Sequence, residues 1–301
     1  MDMKLNLKPL DREFVVETMK ELPPFSSAIN DLLKILDENN TDMSTIAVKL
    51  LVDPVLAGRV LHMANSSFYG FSRQIGTVRE ACVILGNHTV RNLIYTLVVM
   101  GQFESTMDKT SEGLSLNVRT DPDKLTVDYQ QVWQHSLMVG CLGMRLAESI
   151  ECDQETAFTA GLFHELGTII LHHFFPKQFD ECITWSKNNS VCLIEAEREF
   201  FGMDHFQISA LGLDTWNFPN TIIDVLKHMS YQVSCDSPLP NLIRICDVMA
   251  CGLGLEPIKS MPLSAINDGI LHNSKLDPKI LRDQLTPSRM LFSDLSAQLF
   301  A

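Results

Sequence analysis

The chain has 301 residues, 46% hydrophobic and 20% charged, a balance that excludes disorder and is enough for one large or two modest globular cores. Its formal charge of −13 is uneven: residues 1–105 are net −2 and residues 106–301 net −11. No cluster of five or more basic residues occurs, which excludes tight binding to nucleic acid or an anionic membrane, and an acidic pocket would instead suit cations.

The opening "MDMKLNLKPLDREFVVETMK" carries acids from position 2 and no apolar core before a cleavage site, so it is not read as a signal peptide. Apolar runs are far shorter than a membrane span. Eight cysteines form no C-x-x-C pair, and most sit in apolar helical runs, which points to reduced, buried thiols and a cytoplasmic location.

In chain order, Ile29, Leu32, Leu33 and Leu36 follow the three-and-four spacing of an amphipathic helix. "TDMSTIAVKLL" opens with cap-type residues at Thr41, Asp42 and Ser44, and Pro54 suits the first turn of the next helix, "PVLAGRVLHMANSS". Two more helices follow, broken at Gly86-Asn87. Residues 106–127 are polar, with Gly and Pro, and read as a linker. Helices then resume at about 128–150, 154–173, 176–188, 191–202, 204–216, 219–231 and 239–253. A tail from 256 to 301 adds two short helices, one after Asp277 and one after Ser288. No run alternates long enough for a sheet. The expected fold is all-α and two-lobed: an extension over 1–21, a helical lobe over 22–105, the linker, a second lobe over 128–255 and the tail.

Polar residues inside apolar helices are the candidates for chemistry. His135 shares a face with Val139, Leu142 and Leu146; His164 shares one with Ala157, Ala160 and Gly161, leaving room for a close helix or a ligand. Gly167 permits a kink directly after the His164-Glu165 pair. His205 starts a helix after Asp204, His228 lies on a helix begun by Pro219, and Asp247 is a lone carboxylate in an apolar helix, costly without a partner. Four imidazoles and two carboxylates are ligand chemistry for zinc, iron or manganese in a helical bundle. Each histidine taken alone is more often a satisfied core residue than a ligand. His172 and His173 read as helix-end residues, and His62, His88 and His272 as structural or solvent-facing.

The order "WQHS", "AGLFHELG", "GMDH", "KH" and "ICD" resembles the HD superfamily of metal-dependent phosphohydrolases. The first lobe, with Asp53-Pro54, Ala64-Asn65-Ser66 and Leu85-Gly86, is similar to the HDOD domain, a relative implicated in bacterial signal transduction, often with altered catalytic residues. The resemblance implies an HD-like second lobe, in which His135, His164, Glu165 and Asp247 match a first-metal pattern. His205 and His228 match second-metal positions of the HD-GYP branch. Two departures stand out: Glu165 replaces the usual aspartate, and Met229 stands where that branch has a second consecutive histidine.

Phosphoester hydrolysis also needs a positive group, for which Arg145, Lys227 and Arg244 are candidates, although Arg244 at i, i+3 from Asp247 could simply neutralise it. Three readings follow. The expected one is a signalling module whose degenerate site takes a divalent ion (Fe, Mn, Zn or Mg) or a nucleotide, or only stabilises the fold, and which acts through a protein partner. The others are a working phosphohydrolase on a phosphoester or signalling nucleotide, and a helical interaction module with no ion.

Overall fold

The computed structural model describes residues 9–22, 27–37, 42–51, 54–65, 73–112, 127–230, 237–259, 261 and 276–299. Every regular element among these is helical, as the sequence predicts, and none is long and apolar enough to cross a membrane. His272 and Cys235 lie outside the described residues; the other cysteines are free thiols, four of them buried.

Two compact units result, one from residues 23–119 with 290–301, the other from 1–22 with 120–289. In the first, α2 (Ser27–Asp37), α3 (Met43–Leu50) and α4 (Pro54–Ala64) pack on α5 (Val78–Glu112). Asp42 caps α3 by accepting from Ser44 N. Ile46, Leu50, Val60, Ile94 and Tyr95 are almost fully buried, each contributing roughly 1.5–3 kcal/mol by leaving water. Asn65 of the Ala-Asn-Ser landmark has a structural task. Its side chain accepts from Ile75 N and donates to Ile75 O, closing the connection after α4. The expected break at Gly86 is present as a non-helical residue (φ 78°, ψ 167°) inside α5. Beyond it α5 continues to Glu112, into the segment read as a linker.

The second unit holds α1 (Arg12–Thr18) and α6 (Tyr129–Ala147), α7 (Gln154–Phe163), α8 (Leu166–Phe174), α9 (Pro176–Asn189), α10 (Leu193–Phe201), α11 (His205–Thr215), α12 (Asn220–Met229) and α13 (Pro238–Gly252). Its main packings are α6 on α7, α6 on α13, and α8 on α11. The tail differs from expectation: one helix, α14 (Pro278–Leu299), runs through Pro287, where two short helices were predicted. Proline removes one backbone donor but leaves neighbouring turns intact, so it bends or weakens a helix without always ending it.

Candidate metal centre

α6 starts where the Asp128 carboxylate accepts from Gln130 N and Gln131 N, and two turns later presents His135, fully buried. α7, capped by Asp153, crosses α6 backbone to backbone. A Cβ on Gly161 would lie 2.7 Å from Gly140 N and 2.8 Å from Gly140 Cα. The space beside His164 thus belongs to the neighbouring helix.

The helix expected over 154–173 is two helices. The break falls on the His164-Glu165 doublet itself, earlier than Gly167, with Glu165 at φ −90°, ψ 6°. Its freed backbone groups are met from α11: Ser209 Oγ donates to His164 O at 2.8 Å and accepts from Gly167 N at 2.7 Å. Gly167 serves a different purpose from the expected kink. A Cβ there would sit 2.0 Å from His205 O, so its absence lets α8 touch the start of α11. On one continuous helix, adjacent side chains diverge by about 100°. Across this break they converge, and Glu165 Oε1 lies 3.9 Å from His164 Nε2.

Asp247 completes the group from α13. His135 Nε2 is 3.2 Å from His164 Nε2 and 3.3 Å from Asp247 Oδ1, and ligand atoms of His135, His164, Glu165 and Asp247 all lie within 4.8 Å of one another. Each of the two imidazoles has its other nitrogen fixed. His135 Nδ1 lies 2.6 Å from Leu255 O, and His164 Nδ1 lies 2.6 Å from Gly161 O. A carbonyl only accepts, so both Nδ1 atoms carry the proton and both Nε2 atoms offer lone pairs in the neutral rings. Two imine nitrogens and two carboxylates then face one point with no donor among them, unless a cation or an added proton sits there. Two acceptors at 3.2 Å subtend roughly 100° at an ion with bonds of about 2.1 Å, an ordinary coordination angle. The residues fit a divalent ion.

His205 stands beside this group. Asp204 caps α11 in a reciprocal box with Gln207, and His205 Nε2 lies 3.7 Å from Glu165 Oε1. Behind it, Glu197 of α10 accepts from His205 Nδ1 at 2.6 Å and from His205 N at 2.9 Å. His228 is half-buried, with Nδ1 2.6 Å from Asp224 O on its own helix, and is not in the converging group. Of the candidate phosphate contacts, Lys227 is exposed and Arg145 is half-buried near Cys141. Arg244 is buried and engaged elsewhere. Its guanidinium donates to the carbonyls of His228, Met229 and Ser230, capping the end of α12 in place of pairing with Asp247.

Electrostatics follow the geometry. Burial holds the His164 imidazole down to about 4. Burial also opposes charge on His135, but hydrogen bonding to Asp247 and Cys251 and the nearby carboxylates raise it well above its ordinary value. For His205, burial is outweighed by Glu197 and Glu165, which raise it to about 10. Burial works against charge on Glu165 and Asp247, yet the surrounding imidazoles depress both. Glu197 is raised by its burial.

A cavity of about 60 Å³ adjoins the group, lined by Glu165, Asp247, Glu256 and His205, with Leu193, Phe206 and Ile258 among its apolar residues. No Lys or Arg is among the described residues that line it.

Glu197 and Ser209 escaped the sequence reading. Glu197 lies in "EAEREF", which looks like a solvated charged face, and Ser209 has no signal apart from its place one turn after His205.

The HDOD domain model matches residues 22–231, so Asp247 lies beyond the matched span. The fold is similar to a protein from Shewanella amazonensis SB2B provisionally named a phosphohydrolase, with 22% identity, 95% of this chain and 97% of that one covered, and a TM-score of 0.71. It is equally similar to an HDOD domain protein of unknown function from Geobacter sulfurreducens, with 21% identity, 96% and 98% covered, and a TM-score of 0.72. An uncharacterized protein of Treponema pallidum (strain Nichols) is 18% identical over 215 residues, 71% of this chain but only 38% of that protein's length. With the family model covering well over half its residues, the chain belongs to the HDOD domain family.

Proposed function

We propose that this chain is a regulatory module whose HD-like unit holds one divalent ion between His135, His164, Glu165 and Asp247, and that the ion stabilises and shapes the unit without efficient phosphoester turnover. The observation that carries the reading is the set of converging acceptors. Both imidazoles are locked by backbone carbonyls with Nε2 turned toward Asp247 and Glu165. Two nitrogens and two carboxylate oxygens suit Zn²⁺, Fe²⁺ or Mn²⁺. Bound there, an ion supplies Lewis acidity.

The surroundings support binding over turnover. A phosphoester needs a positive contact, and the described residues lining the cavity include three carboxylates and His205 but no Lys or Arg, while Arg244 caps α12. The module's output is then contact with a protein partner in a signalling pathway.

A second reading, a metal-dependent phosphohydrolase, is favoured by one observation: His205 Nε2 stands 3.7 Å from Glu165 Oε1, where that carboxylate could serve two ions.

The experiment is metal analysis and thermal melting of the purified chain and of His164→Ala. Both metal content and melting temperature should fall together in the variant. Unchanged stoichiometry would refute the four-ligand site. Turnover of a generic phosphodiester with added Mn²⁺ would move the conclusion to the second reading.

A further inference from the structure

Glu197 is a fully buried carboxylate that the site described above does not use. Its Oε2 takes two hydrogen bonds from one residue, His205 N and His205 Nδ1, while its Oε1 is buried with no hydrogen-bond partner. Burying an ionisable group with one oxygen unsatisfied is costly, and a purely structural network would satisfy both. The neighbouring residue clamps the neighbouring target. Arg198 donates through Nε and Nη2 to Asp204 Oδ2, and Ser230 Oγ donates to the same oxygen. Consecutive residues of α10, Glu197-Arg198, thus grip the consecutive pair Asp204-His205 at the start of α11. The ring of His205 cannot rotate without losing the 2.6 Å bond, so Nε2 is held facing Glu165.

We propose that Glu197 is a positioning residue for metal binding, fixing His205 in the Nδ1–H form with Nε2 as a further ligand at the Glu165 side of the centre. Carboxylates behind ligating imidazoles commonly raise metal affinity by about 10–100-fold. The arrangement is carried by the E-R-x5-D-H segment from Glu197 to His205. Arg198 supplies the mechanical half of the clamp, through Asp204.

This inference rests on the metal reading above, and one experiment separates the two. Co²⁺ affinity and the visible Co²⁺ absorption are measured on the full chain, on His164→Ala, Glu197→Gln and His205→Ala, and on the Glu197→Gln/His205→Ala double variant. Glu197→Gln and His205→Ala should each weaken Co²⁺ binding by about 10–100-fold with the same spectral change, and the double variant should bind no more weakly than His205→Ala alone. A purely structural Glu197 would weaken binding in the His205→Ala background as well, which overturns the proposal. So would unchanged affinity in Glu197→Gln. Should that variant fail to fold, Glu197→Asp replaces it. An unchanged spectrum in His205→Ala alone is also decisive, because Glu197 would then have no ligand to position. Loss of binding in His164→Ala with indifference at Glu197 and His205 removes this inference and leaves the metal centre standing. Absence of Co²⁺ binding by the unaltered chain removes both.

Discussion

Gly161→Ala is the sharpest perturbation of the crossing that brings α6 and α7 together. The added Cβ would meet Gly140 N at 2.7 Å, Gly140 Cα at 2.8 Å and Val139 C at 2.9 Å, all backbone atoms that cannot rotate aside. Restoring ordinary contact at 3.4 Å requires the two helices to part by about 0.7 Å. Overpacking of this kind costs about 1–3 kcal/mol, and each kcal/mol lowers the melting temperature by about 2–4 °C in a unit of this size. The same displacement acts on the ligands. His135 and His164 sit on opposite sides of the crossing, so their 3.2 Å nitrogen spacing would widen to about 3.9 Å. With bonds of about 2.1 Å, the angle at an ion then opens from roughly 100° to roughly 136°. Gly161→Ala should therefore lose stability without metal and lose part of the additional stabilisation that Mn²⁺ or Zn²⁺ gives. Melting curves with chelator and with saturating metal measure both quantities. A variant that melts lower but gains as much from metal as the parent would show that the crossing does not set the ligand geometry. An unchanged melting temperature would refute the close contact itself.

Ser209→Ala strips the break between α7 and α8 of its bridge, leaving Gly167 N and His164 O unpaired. It should cost about 1–3 kcal/mol per buried orphan, read from urea midpoints. Arg244→Met removes the cap from three carbonyls at the end of α12. It should destabilise by a few kcal/mol while metal stoichiometry stays at the parent value by elemental analysis. For the metal-free chain, denaturation across pH should show a maximum near 6.5. The His164 imidazole, held down to about 4 by burial, withdraws stability as pH falls from 6.5 toward 4. The His205 imidazole, raised to about 10 by Glu197 and Glu165 against its burial, gives stability that is complete below 6.5 and lost as pH climbs toward 10. Each limb is on the order of a few kcal/mol. The His135 imidazole, raised against its burial by Asp247, contributes to the same alkaline limb, so Glu197→Gln should make that limb shallower than the parent's; a limb as steep as the parent's would count against a contribution from His205.

The sequence carried several helix starts well: Asp42, read as a cap, accepts from Ser44 N, and helices expected from about 128, 154 and 204 begin where Asp128, Asp153 and Asp204 accept from their first turns. Tertiary packing overrode local signals elsewhere. Two short helices were expected after Asp277 and Ser288, yet α14 runs through Pro287 as one. Polar residues after 105 looked like linker, yet α5 extends to Glu112. For the centre, four of the six expected ligands converge. His228, a candidate by its place in an apolar helix as well as by resemblance, has its ring against its own helix. Periodicity could not reveal Glu197, because a charged helix face reads as solvated until another helix is known to cover it. Nor could it reveal that the doublet straddles two helices, since the run of small and apolar residues shows no stop signal before Gly167.

That seam has a mechanical consequence. Neighbours on a single helix keep a fixed separation however the helix is pushed, but His164 ends one rod and Glu165 begins the next. A small swivel of α8 about the joint would carry Glu165 away from its companions while leaving His135, His164 and Asp247 where they are. Any molecule that levers α8 or α11 could thereby shift Glu165 against its three companions from a distance, through rotation about the Cα bonds of two consecutive residues.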